Sequence, residues 1–148
     1  MWQGIYKKWN PISHLADQRL YVDAVHDDWE GFRIWFTSDN SKAGVVAIAR
    51  FESQLLYTSS DESFRLSGIR NEEPLKFPHL FWTVDESELI QEFHRQSVNI
   101  YADWKINHYA FLAASDCIDV LSVEEPSFSN VIEAEYFKGV RLNLESVS

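Results

Sequence analysis

Two stretches of this chain, 19–37 and 105–121, are each divided by a short polar turn, and within each the side chains alternate with a period of two, as half-buried β-strands require. In the first, Leu20, Val22 and Ala24 alternate with Tyr21, Asp23 and Val25. Asp27, Asp28, Trp29, Glu30 and Gly31 then supply turn chemistry, and Phe32 to Thr37 is rich in aromatic and β-branched residues. In the second, Asn107, Tyr109 and Phe111 oppose Ile106, His108, Ala110 and Leu112, and Ala114, Ser115 and Asp116 turn the chain into a strand over Cys117 to Leu121. Each stretch reads as an antiparallel hairpin. Val45 to Phe51 predicts a third strand that runs on past a break near Glu52 to Tyr57, and His79 to Val84 predicts a compact apolar one.

Helical period is scarcer. Asp85 and Glu88 have the D-x-x-E spacing of a capping box, and Leu89, Ile90, Phe93 and Ser97 then share one face while Glu88, Glu92 and Arg95 lie elsewhere. This predicts one principal helix over about 85–98. Trp2, Ile5, Tyr6 and Trp9 stand at i, i+3, i+4 and i+7, which predicts an irregular or short amphipathic helical lead-in. Residues 59–78, acidic around Asp61 and Glu62 and broken by Gly68, Pro74 and Pro78, predict a loop with one short helix, and 131–144 leave a terminal helix or an edge strand open. The expected architecture is α+β: a mainly antiparallel sheet of about five to seven strands with the 85–98 helix packed on one face.

A chain of 148 residues with 45% apolar and 24% charged residues is the size and composition of one globular domain, expected to span 1–148. The longest uncharged apolar run, Ala43 to Ala49, is far short of the roughly 20 residues that cross a bilayer. Lys7 and Lys8 precede Trp9, Asn10 and Pro11 rather than an apolar segment, so no secretory signal is expected. Cys117 has no partner for an intramolecular disulfide, which fits a reducing compartment. The expected location is the cytoplasm, without membrane contact.

Recognisable chemistry is sparse. His26, Asp27 and Asp28 are consecutive, so on a strand end they point apart and do not converge on an ion; the other histidines are scattered, and no metal site or cofactor is expected. The five glycines are isolated, without a phosphate loop. Cys117 and His108 flank the second hairpin turn with Asp116 and Asp119 nearby, which leaves a cysteine nucleophile as an alternative. Against it, Cys117 opens an apolar strand in acidic surroundings that raise rather than lower a thiol pKa. The expectation is a protein that is not an enzyme.

Charge is more informative. The net charge is −10, and residues 85–135 hold eleven acids against only Arg95 and Lys105. Such a field repels phosphate backbones and accelerates encounter with basic partners, so direct nucleic-acid binding is not expected. Trp29 and Trp104 fall in turns beside acids, where an amphipathic ring can anchor a partner. Asp27, Asp28, Trp29, Glu30, Asp103, Trp104, Asp116 and Asp119 are therefore the expected partner-binding residues.

The blocks Leu20 to Phe36 (LYVDAVHDDWEGFRIWF) and Phe81 to Ser122 (FWTVDESELIQEFHRQSVNIYADWKINHYAFLAASDCIDVLS) resemble a group of small bacterial proteins with a hairpin, a helix and a closing H-Y-x…D-C-I-D-x-L-S block. They cover roughly two-fifths of the chain. In size and acidity the chain also resembles the immunity proteins of bacterial polymorphic toxin systems, whose members bind and neutralise a cognate toxin. That resemblance implies a basic toxin domain as partner, and neither resemblance carries over an active-site residue; a small ligand-binding domain or enzyme using Cys117 and His108, and an acidic mimic of nucleic acid or scaffold protein, are the alternatives.

Overall fold

The computed structural model describes residues 1–12, 15, 19–38, 44–66 and 79–130. Among them nine strands form two antiparallel sheets. The strands are β1 (Ile5–Lys8), β2 (Leu20–Asp28), β3 (Gly31–Ser38), β4 (Val45–Phe51), β5 (Gln54–Asp61), β6 (Phe81–Asp85), β7 (Asn107–Leu112), β8 (Asp116–Ser122) and β9 (Ser127–Asn130), with one α-helix, α1 (Glu88–Gln96), between β6 and β7. One sheet has the order β1-β6-β7-β8-β5 and the other β2-β3-β4-β9. The α+β class and both hairpins are as the alternation predicts. The expected turn around 39–43 and the terminal element at 131–144 lie outside the described residues.

Alternation decides what each sheet buries. Phe32, Ile34 and Phe36 on β3 and Ala47, Ala49 and Phe51 on β4 face Phe81, Tyr109, Phe111, Ile118 and Val120 of the other sheet, forming one apolar cluster between the two. Phe36 and Phe51 both meet Phe111, at ring separations of 5.6 and 6.1 Å. Each fully buried phenylalanine contributes roughly 1.5–3 kcal/mol over its exposed state, so this aromatic seam holds the sheets together. The opposite face of the five-stranded sheet carries a smaller cluster of Trp82, Val84, Ala110, Leu112 and Cys117, packed against Met1 and Tyr6.

Four expectations are corrected. The N-terminal lead-in is a strand, not a helix: β1 pairs with the free edge of β6, Ile5 opposite Asp85 and Lys8 opposite Trp82. Four residues are too few for a stable helical turn, whereas an open edge supplies partners for their amides. Gly4 permits this approach, since a Cβ there would lie 2.5 Å from Val84 Cγ1 and 2.8 Å from the Asp85 carbonyl. Second, β4 and β5 do not continue one another within a sheet. The break near Glu52 is a corner at which the chain passes from one sheet to the other. Third, 59–61 complete β5, and the short helix expected further on is a 3-10 turn over Glu62–Arg65; 67–78 lie outside the described residues.

Fourth, the helix does not start at Asp85. Asp85 belongs to β6, Glu86 turns through a left-handed conformation (φ 50°), and Ser87 is the cap, its hydroxyl oxygen accepting the Ile90 amide at 3.1 Å. Glu88 serves the N-terminal segment instead of its own cap: its carboxylate accepts the Gln3 amide, and its amide donates to the Gln3 carbonyl, both at 2.9 Å. Leu89 is buried, and Ile90, Phe93 and Ser97 are half-buried on the expected stripe. Because Ser87 also bonds the buried His108 ring, Ser87→Ala removes a cap and orphans a buried nitrogen. It is expected to destabilise the protein by about 2–3 kcal/mol, read as a lower urea midpoint at unchanged slope.

Candidate functional site

Strand register brings several separate segments to one end of the molecule. Phe32 lies opposite Phe51, so the β2–β3 tip stands beside the Glu52–Ser53 corner; Gln54 lies opposite Ser122, and Ser122 opposite Asn107. The hairpin tip, the corner, the segment entering β7 and the 123–126 turn therefore share that end. Asp61 opposite Asp116 and Leu112 opposite Cys117 mark the other end.

At the hairpin tip Trp29 is 92% exposed. Its surroundings are nonetheless fixed. The buried guanidinium of Arg33 pairs with the carboxylates of Asp28 (2.7 Å) and Glu30. Asp28 Oδ1 accepts the Glu30 amide at 2.9 Å, and Arg50, opposite Arg33 in the sheet, donates to the Glu30 carbonyl at 3.0 Å. Gly31 completes the turn at φ 105°, a conformation that a side chain would strain. Asp28 and Glu30 thus share the one guanidinium of Arg33, while Arg50 bonds the Glu30 backbone carbonyl, and together these contacts hold the turn. Asp27 stays exposed without that duty.

On the segment between α1 and β7, Trp104 is half-exposed and Asp103 exposed. The indole leans edge-on against Tyr101 at 4.6 Å, and Tyr101 stacks on Phe93 of α1 at 5.7 Å, so a chain of rings anchors the segment to the helix. Val98 and Ile100 project beside it, 80% and 70% exposed. Neither is among the expected site residues; Val98 carried a signal, since it falls off the Leu89–Phe93–Ser97 stripe, whereas Ile100 continues that spacing and leaves it only because the helix ends at Gln96.

The expected partner-binding set therefore divides. Asp27, Asp28, Trp29, Glu30, Asp103 and Trp104 gather at one end. Asp116 stands at the other, half-buried, its carboxylate accepting the Ser115 hydroxyl at 2.7 Å. Asp119 is not a surface acid: at 2% exposure it is inside, because it shares the covered face of β8 with Cys117 and Leu121.

Asp119 belongs to a buried polar chain. Its Oδ1 is 2.7 Å from His108 Nε2, and His108 Nδ1 is 2.7 Å from Ser87 Oγ. The order Ser–His–Asp is that of an acyl-transfer triad. Here, however, the three residues are 4%, 1% and 2% exposed and the serine oxygen is already the helix cap. The amide following the serine, the position that holds an acyl oxyanion in such centres, is taken by the Gln3 carbonyl. The chain of bonds fastens α1 and the N-terminal segment onto the sheet.

Cys117 shares that interior but is not bonded to His108, whose two ring nitrogens are both engaged elsewhere. Burial pushes its thiol up to about 11, only partly offset by the Arg65 charge, with Asp119 raising it further. At pH 7 about one thiol in ten thousand is then ionised, so iodoacetamide is expected to leave Cys117 unlabelled under native conditions and to label it fully in denaturant. Burial likewise raises Tyr6 and pushes Tyr109 up to about 12. The folded state holds these protons more tightly than the unfolded chain. Their contribution is therefore complete below the ordinary thiol and phenol values, near 9 and 10, and is lost as pH rises through the raised ones.

Among the described residues no group of three His, Cys, Asp or Glu is placed to hold a metal ion, and no helix is long and apolar enough to cross a membrane. The chain matches no protein-family model, and neither a curated protein nor a solved structure is similar to it.

Proposed function

We propose that this chain is an inhibitor of the immunity type, which binds a basic cognate toxin domain in the cytoplasm through the end that carries Trp29 and so blocks the toxin's active site or its access to substrate. The observation that carries this reading is the indole of Trp29, left in water at the tip of a turn that Arg33 and Arg50 hold in place. Burying a tryptophan removes about 150–250 Å² from water, worth roughly 4–6 kcal/mol gross. A turn already ordered loses little entropy on docking, so much of that gain survives as affinity.

Charge supports the same end. Asp27, Glu52, Asp103, Glu124 and Glu125 are exposed there beside Lys105, on a chain of net charge −10. Complementary charge raises the encounter rate with a basic partner and favours it over an acidic one. Many toxins that cut nucleic acid are basic in order to hold phosphate, which suits them to such an inhibitor. In this reading the chain needs no cofactor and performs no reaction. A cysteine enzyme has less support, because the Cys117 thiol is buried and held protonated.

The test is co-purification of the full chain with the toxin domain encoded beside its gene, followed by growth rescue of cells expressing that toxin. A stable complex and rescued growth are expected. Absence of both, for every neighbouring reading frame, would sink the proposal.

A further inference from the structure

The end that carries Trp29 also carries an apolar element for which the fold has no use. After Gln96 the chain reverses through two consecutive left-handed residues, Val98 (φ 53°) and Asn99 (φ 58°), whose amides close the helix onto the Arg95 and His94 carbonyls at 3.3 and 2.9 Å. Asparagine adopts that conformation readily; a residue branched at Cβ does not, and glycine would close the helix equally well. The side chain that imposes this strain gains no burial in return. Val98 is 80% exposed, Ile100 70%, and neither belongs to a core cluster. Strain that brings no packing is characteristic of surfaces that act on something else.

We infer that the 97–104 loop is a second anchor of the interface, in which Val98, Ile100 and Trp104 enter an apolar cleft on the same basic protein that Trp29 engages. The inference rests on the function proposed above. Two observations choose this occupant. The ring contacts Phe93–Tyr101–Trp104 tie the loop to the entry of β7, which register places at the end bearing Trp29, so both apolar elements lie at the same end of the molecule. The exposed acids at that end, Glu86, Asp103, Glu124 and Glu125, favour lysine and arginine at the rim of that cleft. A second copy of this chain, at net charge −10, or an anionic lipid surface would bring like charges together.

The experiment uses the full chain, its Val98→Asn and Ile100→Ser variants, and a catalytically inactive form of the toxin domain encoded beside its gene. Affinity is measured by calorimetry and thermal midpoint by scanning fluorimetry. Val98→Asn is expected to raise the midpoint by about 2–5 °C, because the strain is relieved, and to weaken binding about tenfold; Ile100→Ser should weaken binding similarly. If both variants bind within twofold of wild type while Trp29→Ala does not, the loop is no anchor and the function proposed above stands. A fall in the midpoint of Val98→Asn would show that the side chain serves the fold. Self-association of the wild-type chain that Val98→Asn abolishes, seen by sedimentation velocity, would reassign the loop to contact between copies. Failure of the wild-type chain to bind any neighbouring domain overturns both proposals together.

Discussion

His108→Ala is expected to lower the unfolding free energy by about 3–5 kcal/mol, a large share of the stability of a domain this size and enough to leave part of the protein unfolded at 37 °C. The reason lies in what is left behind. His108 is the buried partner of Asp119 and of the Ser87 hydroxyl, each at 2.7 Å. Removing the imidazole strands an acid at 2% exposure without its donor, opens a cavity and loosens the cap of α1. Urea denaturation followed by circular dichroism measures it. Two further variants separate the charge from the volume. Asp119→Asn keeps an acceptor for Nε2 and should cost less, about 1–2 kcal/mol, whereas the double change His108→Leu with Asp119→Leu should recover much of the loss, since the buried acid is then gone and the Ser87 hydroxyl, which loses its ring partner, still accepts the Ile90 amide. If the double variant is as unstable as His108→Ala, the loss comes from packing rather than from an orphaned acid.

Trp29→Ala should show the opposite profile. With the ring 92% exposed, its removal is expected to change stability by no more than about 0.5 kcal/mol. Binding to the cognate toxin domain is expected to weaken by about 30-fold or more, the behaviour of a central anchor. Trp82→Ala is the control, because that indole is buried and donates to the His79 carbonyl at 3.0 Å. It should destabilise by about 3–5 kcal/mol, with any loss of binding following from unfolding. A Trp29→Ala protein that is stable and binds as wild type would remove the main support for the hairpin tip as the docking element. Arg33→Met offers an intermediate case: freeing Asp28 and Glu30 leaves the ring in place but disorders the turn that presents it, so affinity should fall chiefly through a faster off-rate.

The candidate site was legible only in part, for reasons that differ residue by residue. The exposure of Trp29 and Trp104 is legible because turn composition is a local property, and a large ring within a turn has little core to enter. Asp28 and Glu30 lie in the same turn and pair with Arg33 of their own hairpin, whereas the bond from Arg50 to the Glu30 carbonyl depends on the pairing of β3 with β4, which the hairpin alone does not announce. Asp119 was misplaced although its alternation with Ile118 and Val120 puts it on the same face as Cys117 and Leu121. Reading that face as covered would have sent it inward and paired it with His108, which shares the corresponding face of β7 with Ala110 and Leu112.

What the amino-acid order determined by itself was therefore the set of faces: which residues alternate, where the hairpins turn, and that one helix follows the Phe81 strand. Those signals are carried by residues two to four apart, and steric preference reads them locally. Only the tertiary structure decided which faces are covered. It set β1 on the edge of β6, sent β4 and β5 into different sheets, moved the helix cap from Asp85 to Ser87 and enclosed Asp119, while it left Trp29 and Val98 in water. Each of these depends on pairing between distant segments, whose free energy comes from burying surfaces that meet only when the chain has folded.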